Sequence, residues 1–282
     1  MVNRKVKSKK TGFRTKDGAG VSLVRVLGSQ TVYEFDPILM LDSFDSTNPE
    51  DYVAGFPFHP HRGIETISYL SKGKMIHKDT LGNEDSITDG EVQWMNAGSG
   101  ILHEEKIPEA DRLLGVQLWL NLPKEEKFSK PYYHAIRKDD IKEIDFSSGK
   151  IRLLAGTFGK YQGFKADHLP LDYYDIHLDK DGEITLDCGE DDSVMVFTLL
   201  GKISIEGEEI RENTAAKLTN GNKVTIKNAG DFAQVLFLST RALNEPVAWA
   251  GPIVMNSEEE LEEAFLDLRK GSFIRENLEF DK

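Results

Sequence analysis

The sequence predicts an all-β chain folded as two tandem β-barrels, with a single helix near the C-terminus. Three observations predict it. Short runs that alternate apolar and polar residues recur from Val21 to Thr240, each soon ended by Gly, Asn, Asp or Pro. Such spacing suits barrels or sandwiches and leaves no room for the crossover helices of a parallel sheet. A charged segment, 124–150, flanked by Pro123 and containing Pro131, separates two halves of this kind, each large enough for its own apolar core. One stretch alone, near the end of the chain, carries a clear helical period.

Taken in order, the first sixteen residues hold Arg4, Lys5, Lys7, Lys9, Lys10, Arg14 and Lys16 and no acid. We read residues 1–20 as a flexible, solvated basic tail. VSLVRVL (21–27) alternates as a strand, and Asp36-Pro37 interrupts the chain before ILML. The tract from Ser43 to Gly55, rich in Asp, Asn and Pro, reads as a loop. IETISYL and KMIHKDTL flank Ser71-Lys72-Gly73, which is hairpin chemistry, and Asp89-Gly90 turns the chain toward VQWM. LLGVQLWLNL (113–122) alternates again. The domain division that follows is an N-terminal barrel over 21–135 and a C-terminal barrel over 136–282, the latter carrying the helix 257–270. In that helix Ser257 and Glu260 form a capping box, Leu261, Ala264, Phe265 and Leu268 form the apolar stripe, and Gly271 stops it.

Composition narrows the function classes. The net charge of −13 makes direct binding of nucleic acid by the folded body unfavourable. No apolar run reaches the eighteen residues of a membrane-spanning helix, and residues 1–16 contain no apolar core of a secretory signal. Cys188 stands alone, so no intramolecular disulfide can form. These readings place the chain in the cytoplasm, or in the nucleus if the source is eukaryotic.

The chemistry concentrates in two segments, FPFHPHRG (56–63) and GSGILHEE (98–105). Each sets two metal-ligating types two positions apart, His59 with His61 and His103 with Glu105. In an extended chain alternate side chains share a face, so each pair can address one point. A lone His-x-His is common without metal; a second pair at strand parity, bounded by glycines, is not. Three imidazoles and a carboxylate without thiolate suit one divalent ion: iron, manganese, nickel, copper or zinc. His77 and Gln117, on the strands after each pair, are candidates to line the pocket, although a partly exposed strand histidine is the simpler reading of His77. No histidine follows His177, so the second half cannot repeat an imidazole-rich site.

HPHRGIETISYL (59–70), QWMNAGSGILHEE (93–105), GVQLWLNLP (115–123) and GPIVMNSEEELEEAFLDLRKGSF (251–273) resemble the pirin family, a branch of the cupin superfamily, over most of the chain from about Val21. The resemblance implies a bicupin with one mononuclear iron-type site in the N-terminal barrel, held by His59, His61, His103 and Glu105. Glu65 occupies the place where other cupins carry a ligand; in pirins the matching glutamate is not one, which leaves Glu65 as a hydrogen-bonding neighbour of the imidazoles. Glu104 stands where relatives have a small residue. The implied activity is quercetin 2,3-dioxygenase, cleaving a flavonol heterocycle with dioxygen and release of carbon monoxide, with Glu105 as ligand or, once displaced, as base. The alternative it implies is a metal- or redox-dependent module that regulates a protein partner without turnover.

Overall fold

The computed structural model describes residues 2–275. They are mostly β-strand, with one α-helix at the C-terminal end. None of its helices is long and apolar enough to cross a membrane.

The chain forms two compact units that interleave in sequence. One comprises Arg14–Leu23, Ile38–Arg137 and the chain from Asn244; the other comprises the chain to Phe13, Val24–Pro37 and Lys138–Leu243. This replaces the expected division into 1–20, 21–135 and 136–282 in two respects. The basic N-terminus is not a flexible tail: Val6–Thr11 pairs antiparallel with Thr214–Leu218. Burial alternates along it, with Lys7 and Lys9 exposed between half-buried Val6, Ser8 and Lys10, so part of the basic run is the outer face of an edge strand. Arg4 ahead of it is fully buried. Its guanidinium donates to the carbonyls of Gly221 and Thr219 (both 2.8 Å), Asp192 (2.9 Å) and Gly189 (2.5 Å). The second correction concerns the C-terminal segment and its helix, which belong to the unit of the first barrel.

In that unit, one sheet runs in the order Tyr132–Ile136, Glu91–Asn96, Ile64–Lys72, Leu113–Asn121, Ile38–Ser46, followed by residues 21–23 and 14–17. A second, four-stranded sheet runs Phe56–His61, Ile101–Lys106, Met75–Asp79, Glu84–Ile87. Val21, Leu23, Phe44, Tyr52, Leu70, Met75 and Ile87 are buried together in its core. The tract read as a loop from Ser43 begins as strand, since Ile38–Ser46 continues through it.

The helix spans Glu258–Lys270 and is capped as its sequence predicts, with reciprocal bonds between Ser257 and Glu260 and a left-handed Gly271 at its end. Leu261 and Ala264 bury against Ala248, Ile253, Met255 and Phe273. Lys127, also buried, ties this segment to the first barrel: its Nζ donates to Gly63 O (2.7 Å), Asn121 Oδ1 (2.5 Å) and Val254 O (3.0 Å). Gly63 has φ 78°, and a Cβ there would stand 2.0 Å from Val254 O. Gly63→Ala is therefore expected to cost on the order of 3 kcal/mol, from left-handed strain plus a backbone collision. A lowered urea midpoint with unchanged slope would show it.

The other unit is a nine-stranded sheet dominated by Ser193–Ile205 and Lys223–Thr240. Its interior is hydrocarbon, including Ile151, Leu153, Ile176, Val196, Ile226 and Phe237. Among the described residues, the one group of three or more potential ligands lies in the first barrel.

Candidate metal centre

Phe56–His61 and Ile101–Lys106 are antiparallel neighbours with His103 opposite His59 and Ile101 opposite His61. That register, not parity alone, brings the imidazoles together. Ring centroids of His59, His61 and His103 lie 4.4–5.0 Å apart, and one nitrogen from each ring falls within 4.8 Å of the others. Each Nδ1 is already engaged: that of His59 with Pro57 O (2.8 Å), that of His61 with Pro252 O (3.1 Å), that of His103 with His77 Nδ1 (3.4 Å). Nε2 is the atom left on each ring. His103 Nε2 is buried and has no hydrogen-bond partner, an arrangement a protein core tolerates poorly unless a bound group engages the atom. Burial holds His61 and His103 well below the usual imidazole range, with the neighbouring imidazoles adding to the effect. Neutral rings with outward lone pairs are what a metal requires.

Glu105 is buried but lies outside this group. Two causes are visible. It sits one strand repeat beyond His103, roughly 6.8 Å along the chain, and a register shift sets it opposite Phe56. Its carboxylate is also held from the facing sheet: Gln93 Nε2 donates to Oε1 (2.6 Å) and Gln117 Nε2 to Oε2 (3.0 Å). Gln93, Ser68, Gln117 and Asp42 are directly opposed on four adjacent strands and form one polar rung across the sheet.

Glu65 is buried, and Tyr132 Oη donates to its Oε1 (3.1 Å). The parity that linked it to His59 and His61 is broken, because the first ligand strand ends at His61 and a new one begins at Ile64 after Gly63. The acceptors for the imidazole Nδ1 atoms are other groups. His77 is fully buried, not partly exposed; it stacks on Tyr133 (centroids 4.2 Å, 17°), and its Nε2 lies 2.8 Å from Asp79 Oδ2. Burial works to raise the Asp79 carboxyl, but the bonds from His77 and Asn83 outweigh it and hold it below the usual range. Glu104 is only half-buried and ion-paired with Lys106 (3.4 Å).

Sequence reasoning missed Gln93, Asp79, the Pro252 carbonyl and a pair of indoles. Trp119 meets the His61 ring edge-on at 5.1 Å and lies 5.6 Å from Trp249. Asp79 is two residues from His77 and Gln93 opens the second signature segment, so both carried a weak signal; Pro252, 191 residues from His61, carried none.

Residues 20–120 match the family model described as Pirin, and residues 173–274 match the Pirin C-terminal cupin domain. "Putative quercetin 2,3-dioxygenase PA3240" of Pseudomonas aeruginosa is 41% identical over 271 residues, covering 93% of this chain and 95% of that protein. Pirin of Homo sapiens is 31% identical over 259 residues, covering 90% of this chain and 88% of that one. The crystal structure of quercetin 2,3-dioxygenase from Acinetobacter baumannii superposes with a TM-score of 0.89 at 31% identity, over 96% of this chain and 99% of that chain. With both barrels matched and relatives of this identity along nearly the whole length, the chain belongs to the pirin family and is a bicupin.

Proposed function

We propose that this chain is a mononuclear metal-dependent dioxygenase of flavonol-type substrates, with iron(II) held by the Nε2 atoms of His59, His61 and His103. The observation that carries the reading is the convergence of three rings whose Nδ1 atoms are all engaged, one of them leaving a buried nitrogen without a partner. When bound, the ion supplies positive charge and open coordination positions that acidify a chelating substrate hydroxyl and favour its reaction with dioxygen. The chain's own groups supply the rest. Glu105 accepts the hydroxyl proton, its carboxylate held by Gln93 and Gln117. Trp119 and Trp249 offer an aromatic wall beside His61 for a flat ring.

Glu105 is also the fourth ligand that the family resemblance implies. Glu105→Gln separates the two roles: full iron content with turnover lost assigns the base, and lost iron assigns the ligand. The proposal as a whole is tested by anaerobic iron loading followed by oxygen uptake with flavonols. Turnover is expected in the wild type and in His168→Ala, which changes a histidine of the other unit, and is expected to vanish in His103→Ala.

A second reading, a metal-dependent module that binds a protein partner, draws on the relatives named simply pirin and on Phe58, which is 47% exposed beside His59. Iron uptake without turnover on any flavonol, together with iron-dependent capture of a partner, would select it.

A further inference from the structure

His103 is not oriented by a backbone carbonyl, as His59 and His61 are, but by another imidazole. His77 Nδ1 lies 3.4 Å from His103 Nδ1, and His77 Nε2 lies 2.8 Å from Asp79 Oδ2. Asp79 is fixed in turn, its Oδ1 accepting from the backbone N–H of Leu81 (2.8 Å) and Asn83 (3.1 Å) and its Oδ2 from Asn83 Nδ2 (2.9 Å). His77 and His103 are fully buried, and the side chain of Asp79 is too. No solvent competes for these bonds.

The direction of each bond follows from the one before it. A carboxylate only accepts, so the His77 proton sits on Nε2. With the His77 proton on Nε2, its Nδ1 is the acceptor of the facing pair, and His103 donates from its own Nδ1. The lone pair of His103 is thereby placed on Nε2, the buried atom without a partner. The opposite order would put a proton on that atom and close it to a cation.

We propose that Asp79 and His77 form a two-step positioning relay that sets the tautomer and ring orientation of His103, making it the one metal-binding imidazole whose donor strength depends on side chains. The inference rests on the metal reading above and concerns positioning residues, since neither Asp79 nor His77 would touch the ion. A relay of this kind turns a change at Asp79, two side chains away, into a change of metal affinity.

Two variants test it. His77→Phe keeps a ring against Tyr133 and removes both hydrogen bonds. Asp79→Asn keeps an acceptor for the turn at Leu81 and Asn83 and presents an amide donor to His77 Nε2, which reverses the relay. Iron(II) affinity, measured anaerobically by competition with a chromogenic chelator, is expected to fall about 10- to 100-fold in both variants. In the metal-free protein, imidazole nitrogen chemical shifts are expected to show His103 protonated on Nδ1 in the wild type and on Nε2 in Asp79→Asn, a change that loss of packing would not produce. Wild-type affinity with an unchanged His103 tautomer in Asp79→Asn overturns the relay and leaves the metal site standing, even if His77→Phe does not fold. A wild-type chain that takes up no iron overturns both.

Discussion

Replacing His103 with alanine is expected to abolish stoichiometric iron binding, while the protein stays folded. The ring packs against both other imidazoles, 4.4 Å from His59 and 5.0 Å from His61 by centroid, and its Nε2 is buried with no partner. Its removal takes away one of three nitrogens and leaves His77 Nδ1 without its neighbour. The affinity loss should exceed the roughly 100-fold that removal of an outer hydrogen-bonding partner brings. Elemental analysis after anaerobic loading and desalting measures it, with circular dichroism as the control for folding. His103→Ala protein that retains one iron per chain would remove the basis of both functional readings, because the remaining pair, His59 and His61, is then sufficient or the ion lies elsewhere.

Arg62→Ala is expected to give a loss of stability as large as that of Gly63→Ala. Arg62 lies between His61 and Gly63 and is 1% exposed. Its Nε donates to Ser99 O (2.7 Å), one terminal nitrogen to Asp267 Oδ2 (2.9 Å) and the other to Phe273 O (2.9 Å), and the guanidinium lies over the Phe273 ring at 4.2 Å. One side chain thus fastens the first ligand strand to the second signature loop, to the helix and to the segment after it. Alanine strands two buried carbonyls and takes one partner from the Asp267 carboxylate, which keeps Arg275 (3.3 Å) and Ser272 (3.2 Å), for a cost on the order of 3 kcal/mol. In a unit of this size that corresponds to a melting temperature lower by roughly 6–12 °C. Arg62→Lys keeps the charge but cannot reach three acceptors in three directions, so it should recover less than half of the loss. Because Pro252 O holds His61 Nδ1 from the same C-terminal segment, Arg62→Ala should also weaken iron retention. An unchanged melting temperature would show that the helix is held by its apolar face alone.

Much of this molecule was legible along the chain because it depends on local rules. Alternation and turn residues predicted the strands, and the capping box of Ser257 and Glu260 with Gly271 predicted the helix to within a residue. The His-x-His and His-x-Glu pairs marked the strands that carry the three imidazoles, and the absence of histidine after His177 already confined such a site to the first half. Parity decides which way a side chain points, and parity can be read from spacing.

Cross-strand register and long-range return of the chain cannot be read that way, because they are set by which strands become neighbours. Glu105 points inward as spacing implies, yet the polar rung of Gln93 and Gln117 on the facing sheet draws its carboxylate away from the imidazoles. Gly63 ends one strand and starts another, which removes Glu65 from the face that arithmetic gave it. The burial of His77 against Asp79 and Tyr133, the pairing of the basic N-terminus with Thr214–Leu218 and the seating of Pro252 on His61 all join segments far apart in sequence or on different strands. The sequence by itself determined which residues could bind a metal; only the tertiary structure decided which nitrogens face one another and what holds each of them, because hydrogen-bond partners are chosen by proximity in space.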